Sequence, residues 1–156
     1  MNARLWITGV LRAPTRWATV SGVGARVHFG RMTTLKTMTR AELGAFGEQL
    51  AVKHLTDLGL RILDRNWRCR YGELDVIAGD PATGAVVFIE VKTRTGDGYG
   101  GLAHAVTEWK LRRLRRLAGL WLAGQNQGWT AVRIDVIGVR IGRRRTPELT
   151  HLKGVG

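Results

Sequence analysis

Apolar residues recur at helical spacing between residues 43 and 58. Leu43, Phe46, Gly47, Leu50, Ala51, His54, Leu55 and Leu58 fall on one stripe. Thr39, with Glu42 three residues later, reads as a capping box, and Gly59 as the stop. The period then changes. "LRILDRNWRCR" is strand-like, and residues 73–78 and 86–92 are rich in Val, Ile and Phe. The turn-forming "GDPATGA" joins the last two, which predicts an antiparallel hairpin. A glycine-rich stretch, "GDGYGG", leads into a second helix over 103–123, ended by Gly124. Residues 130–141 alternate as a strand, and "ELTHLKGV" reads as a last short one after the basic loop "GRRRTP". The order helix, three strands, helix, two strands predicts an α/β fold, a mixed β-sheet flanked by helices.

The first 38 residues do not share this regularity. They keep no sustained period and are broken by Pro14, Gly22, Gly24 and Gly30. Residues 1–41 carry seven Lys+Arg and no acid. The segment reads as a disordered basic tail, or as sequence upstream of the true start codon. The domain is taken as 39–156.

Charge and cysteine narrow the class. Residues 42–156 hold 18 of the 25 Lys+Arg against all 12 Asp+Glu, a net of +6, so the domain itself favours a polyanionic partner. A single cysteine, Cys69, excludes an internal disulfide and fits a reducing, cytoplasmic setting. The apolar runs are too short for a membrane span.

The hairpin carries charges that folding alone does not explain. Glu73 and Asp75 interrupt its first strand, Glu90 and Lys92 its second. Residues two apart on a strand share a face, about 7 Å from each other. If the register joins these faces, three carboxylates and an ammonium group converge. Carboxylates beside a core repel one another unless a positive charge neutralises them. Oxygen-only donors suit Mg²⁺ or Mn²⁺. The bland alternative is an exposed hairpin with cross-strand ion pairs such as Glu73–Lys92.

These residues also resemble a known pattern. Asp75, a spacer of 14 residues, then "EVK" at 90–92 looks like the PD-(D/E)xK nuclease signature. "GAFGEQLAVKHL", "LDRNWR", "YGELDVIA", "FIEVKTR" and "RIDVI", in this order, resemble the YraN family over roughly residues 40–156. Those small bacterial proteins are similar to archaeal Holliday junction resolvases. The resemblance implies a restriction-endonuclease-like fold and a Mg²⁺- or Mn²⁺-dependent phosphodiesterase acting on DNA in repair or recombination. It implies Asp75 and Glu90 as metal ligands, Glu48 completing the site and Lys92 as the catalytic lysine. Leu74 stands where the signature usually has proline. Glu73 has no counterpart there, and is either a further ligand or a partner of Arg70 or Arg94. Junction cutting would need a homodimer to place two sites on opposed strands.

Lys110 interrupts the apolar stripe of the second helix formed by Val106, Leu114, Leu117 and Trp121. By the resemblance it points at the scissile phosphate; otherwise its stem covers the core edge. Arg112, Arg113, Arg115 and Arg116 either track a phosphate backbone or form a solvated face with Glu108. Arg68, Arg70 and Arg94 flank the hairpin, and Arg143, Arg144 and Arg145 form another basic patch. His54 reads as a core histidine, and His104 lies beside the glycine-rich loop. Asp135 reads as structural, paired with Arg133 or a basic helix residue. The competing functional class is a nucleic-acid-binding or accessory module that uses the same basic surface without turnover.

Overall fold

A computed structural model describes residues 25–28, 38–96, 102, 106–142 and 147–155. The elements are β1 (Ala25–His28), α1 (Arg40–Asp57), β2 (Arg61–Cys69), β3 (Gly72–Asp80), β4 (Ala85–Thr95), α2 (Glu108–Ala123), β5 (Ala131–Ile141) and β6 (Pro147–Leu152). The strands form one sheet in the order β1-β6-β5-β4-β3-β2. β4 and β5 run parallel, and every other pairing is antiparallel. This is the mixed α/β architecture the element order predicts, and it is consistent with a restriction-endonuclease-like fold. No helix among the described residues is long and apolar enough to cross a membrane.

Each helix covers one face of the sheet. α1 begins at the predicted capping box: the Thr39 hydroxyl accepts from the Glu42 N–H, and Glu42 Oε2 accepts from the Thr39 N–H at 2.7 Å. Its Ala51 and Leu55 pack with Val76, Ala78, Val87, Ile89, Ile137 and Val139. On the opposite face Leu111, Leu114, Leu117 and Trp121 of α2 pack with Ile77, Val86, Phe88, Val132 and Ile134. Trp121 meets Phe88 edge to face at 5.7 Å, and its indole N–H donates to Asp64 of β2 at 3.2 Å. Full burial of each such side chain contributes on the order of 2 kcal/mol. Both faces of the central strands are therefore covered, which is why Val76–Ala78 and Ala85–Ile89 read as continuous apolar runs.

A polar chain crosses the core under the end of α1. Arg133 of β5 donates to both oxygens of Asp135 and reaches Asp80 at the β3–β4 turn. Asp135 also accepts the Gly154 N–H at 2.9 Å and contacts His151 Nε2 at 2.9 Å. His151 Nδ1 in turn lies 3.1 Å from His54 Nε2. Burial, then the neighbouring His151, lowers the His54 pKa and keeps the ring neutral. Burial alone would raise Asp135, but the hydrogen bonds from His151 and Arg133 outweigh it and hold the carboxyl below its usual range. Asp135 paired with Arg133 and a buried His54 are both as the sequence predicts.

Two boundaries differ from the sequence reading. α2 begins at Glu108 rather than 103, because the Thr107 hydroxyl accepts from the Lys110 N–H and caps the helix there. Val106 thus precedes the helix and is not part of its stripe. Ala25–His28, inside the segment expected to be disordered, pairs as an edge strand with β6. Residues 1–24 and 29–37 of that segment lie outside the described residues, as do the loop at 97–101, His104 and Arg143 to Arg145.

Candidate active site

The carboxylates meet where β3 and β4 part. Their ladder runs from Asp80↔Ala85 to Val76↔Ile89 and stops. Beyond it β3 stays with β2 as far as Gly72, and β4 stays with β5 as far as Thr95. β2 is irregular at the same level. Arg65 faces Val76 and Trp67 faces Leu74, so Asn66 stands opposite Asp75. Asn66 has φ of 53°, a left-handed conformation that asparagine tolerates better than most residues. Strict alternation fails across this point: Val76 packs under α1, while Leu74 and Ile77 both pack under α2. Asp75 sits at the irregularity, and its Oδ2 accepts the Val91 N–H at 2.7 Å, a bond that a continued ladder would have given to backbone.

The gap so opened is a cleft between the helices. Arg40, Leu43, Gly44 and Glu48 of α1, Glu73 and Asp75 of β3, Glu90 to Thr93 of β4, and Arg113 of α2 line it. Its inner continuation is lined by Glu90, Lys92, Val106, Lys110, Arg113, Leu114 and Val136. The four acids and the lysine singled out in the sequence therefore share one cavity.

Two glycines set its walls. A Cβ at Gly47 would lie 1.8 Å from Thr93 Oγ1, so only glycine lets α1 approach β4 there, which places the next residue, Glu48, at the cleft. Gly72 has φ of 141°, and a Cβ on it would lie 2.7 Å from the Arg113 guanidinium. Gly72 thus ends the β2–β3 turn and leaves room for Arg113 to lie against β3.

Electrostatically the carboxylates outnumber the cations along the cleft. Burial, then the neighbouring Glu90 carboxylate and more weakly Glu48, push the Asp75 carboxyl up to about 7. The Val91 N–H and Lys92 pull the other way without balancing them. Lys92 pairs with Glu90 on its own strand, not with Glu73 across the hairpin. Among the described residues, no three of His, Cys, Asp and Glu already stand close enough to hold a metal ion.

The remaining basic residues divide. Glu73 pairs with its cross-strand neighbour Arg68 at 3.1 Å, in place of the expected Arg70 or Arg94, because the β2–β3 register sets Arg68 directly opposite. Arg70 instead lies over the Tyr71 ring, and Arg94 lies exposed further along β4, opposite Arg140. Lys110 and Arg113 reach the cavity, while Arg112 and Arg116 lie along an outer groove with Tyr71 and Trp109. Sequence reasoning passed over Arg40, Tyr71 and Trp109. The available signals were a cation one residue past the helix cap and two aromatics set among arginines.

Residues 47–139 match the uncharacterised protein family UPF0102, a span that holds α1 from Gly47 onward, α2, and strands β2 to β5 except the last residues of β5. The chain belongs to the UPF0102 family. Its UPF0102 relative in Mycobacterium tuberculosis is 77% identical over 128 residues, covering 80% of this chain and all of the relative. The Mycobacterium ulcerans protein is 76% identical over 122 residues, covering 78% of this chain and all of its own length. The Mycobacterium avium protein is 75% identical over 125 residues, covering 80% of this chain and 98% of its own. The UPF0102 match begins at Gly47, the residue that seats α1 on β4, and takes in Glu48, Glu73, Asp75, Glu90, Lys92, Lys110 and Arg113.

Proposed function

We propose that this UPF0102 protein is a divalent-cation-dependent phosphodiester hydrolase acting on nucleic acid, most simply DNA. The observation that carries the reading is the parting of β3 from β4. It brings Asp75, Glu90 and Lys92 from one hairpin to one cleft, with Glu48 at its wall and cations around it. The resemblance to resolvase-like nucleases, in which these positions have these roles, supports the same conclusion.

The donors fit Mg²⁺ or Mn²⁺ in kind. They are carboxylates, and the raised Asp75 pKa marks a carboxyl that burial and its acidic neighbours leave short of positive charge. Asp75 gives one oxygen to Val91 and Glu90 one to Lys92, which leaves each a further oxygen as a donor. The side chains must draw in to close on an ion. Asp75 and Glu90 would hold it, with Glu48 and Glu73 at the margin. A cation bound there supplies neutralising charge and Lewis-acid polarisation of a phosphate.

The chain's own groups do the rest. Asp75 is fixed by the Val91 N–H, so its position does not depend on a ligand. Lys92, released from Glu90, orients the attacking water and offsets charge developing on the phosphate. Arg113 and Lys110, on the α2 side of the cavity, seat the phosphate facing Lys92. Arg68, Arg112 and Arg116 lie further out, where they attract a polyanion without touching the reacting atoms.

The test is a calorimetric titration of Mn²⁺ and Mg²⁺ into the full chain and into Asp75→Ala/Glu90→Ala, with cleavage assays on linear and branched DNA beside it. Cation binding and cation-dependent cleavage, both lost in the double variant and cleavage alone lost in Lys92→Ala, are expected. A wild-type protein whose cleavage is unchanged by all three substitutions sinks the reading. A second reading, nucleic-acid binding without turnover, is favoured by the closed Lys92–Glu90 pair. It predicts DNA binding at wild-type strength in Lys92→Ala and no cleavage by any form. Action on a junction, and any place in repair or recombination, rests on finding branched DNA preferred.

A further inference from the structure

α2 carries a basic and aromatic stripe on its solvent side. Trp109, Arg112, Arg113 and Arg116 follow at i, i+3, i+4 and i+7, so they lie along one face. Trp109 is 63% exposed, unusual for a residue that is highly buried on average. The β2–β3 turn brings Tyr71 against this stripe, with the Arg116 guanidinium 4.0 Å and the Arg70 guanidinium 4.6 Å from its ring centroid. Tyr71, Trp109, Arg112, Arg113, Arg116 and Leu117 line a shallow groove, and no carboxylate is among them. Arg113 also lines the carboxylate cleft, so groove and cleft share a wall.

Arginines alone would serve the phosphates of any nucleic acid. An exposed indole gains nothing from phosphate; its flat apolar face gains from stacking on a base. In a duplex the base faces are stacked on one another and closed to a side chain. They are open only where the strand is unpaired. Tyr71, held under two guanidiniums, makes with them a broad cationic platform beside Trp109.

We infer that this groove receives an unpaired stretch of the strand that leads into the carboxylate cleft, Trp109 stacking on a base while Arg112 and Arg116 hold its phosphates. The substrate class is then nucleic acid with a single-stranded segment next to the scissile phosphate: a single strand, a flap or an open branch point. The inference rests on the proposed reading of the cleft. Trp, Tyr and Arg also concentrate in protein interfaces. Three guanidiniums with no acidic lining, and the wall shared with the cleft, favour the polyanion.

Binding of the full chain to a labelled single strand, a blunt duplex and a flapped duplex, in EDTA at fixed salt, tests this. Wild type is expected to prefer the single strand and the flap. Trp109→Ala should weaken both about tenfold while changing the blunt duplex less than about twofold, and Trp109→Phe should retain most of the affinity. Arg116→Gln should weaken all three, since phosphates are common to them. Equal loss on all three in Trp109→Ala, or no loss on any, overturns the groove; if the Asp75 and Glu90 variants still abolish cleavage, the cleft reading stands. Failure of wild type to bind any of the three, with no cleavage, overturns both. Self-association that Trp109→Ala abolishes with nucleic-acid binding unchanged would assign the groove to a second copy and overturn the inference.

Discussion

Asp75 and Asp135 are aspartates on strands of one sheet, and their surroundings treat them in opposite ways. Asp135 is fully buried, yet its carboxyl lies below its usual range, because Arg133, His151 and the Gly154 N–H give it more than burial takes away. Asp75 keeps some contact with solvent, yet burial and two acidic neighbours push it up to about 7, with one backbone N–H and Lys92 in opposition. The first cluster is complete within the chain. The second is complete only if something positive joins it. On the proposed reading, that difference separates a polar group kept for the fold from one kept for a ligand better than burial or residue type does.

The sharpest way to break the comparison is to remove each carboxylate. Asp135→Ala leaves the Arg133 guanidinium buried without its partner and should cost about 3–5 kcal/mol in urea unfolding. A loss below about 1 kcal/mol would show that the network contributes little to stability. Asp75→Asn should act in the other direction. It keeps an oxygen for the Val91 N–H and removes the charge that has no counterpart.

The sign of that effect with pH follows from the raised pKa. Asp75 binds its proton more tightly in the folded state, so its contribution is fully present below the ordinary carboxylate pKa of 3.8 and is lost as pH rises to about 7. Asp75→Asn should therefore match wild type near the acid end and exceed it by up to about 4 kcal/mol at pH 8 without added cation. Melting curves across that range check it, and a gain that does not grow with pH would contradict it. His54 works in the reverse sense: its lowered pKa makes the fold lose stability as pH falls below 6.5, so the same comparison is repeated with His54→Gln in both proteins. The smallest expected effect is that of Arg68→Ala, which breaks an exposed pair with Glu73. It should change stability by no more than about 0.5 kcal/mol, and a larger loss would move Glu73 from the margin of the site into its structure.

Much of this was legible from local pattern. The capping box at Thr39, the β3–β4 hairpin and the convergence of Asp75, Glu90 and Lys92 follow from side-chain period and turn chemistry, which act over a few residues. The parting of the strands did not follow, although Asn66, a turn-forming residue within β2, stands at its level. Its consequence depends on which residue stands opposite, and that is a matter of register between strands. The partner of Glu73 was missed for the same reason. Tyr71 and Trp109 were not weighed, because an aromatic among arginines reads as core until its exposure is known. The pairing of Ala25–His28 with β6 joins segments more than a hundred residues apart, and no local period announces it.

β2 is an outer strand of the sheet, and it is poorly made for extension. Arg61, Arg65 and Arg68 stand exposed along it, the ladder to β3 slips between Ile62 and Asp64, and Asn66 turns the backbone out of line. A second chain approaching edge to edge would meet like charges and hydrogen-bonding groups out of step. The irregularity level with the carboxylate cleft thus also protects the protein from aggregating through its own sheet. If two copies do act together on a branched substrate, they must join through some other surface than the rim of β2.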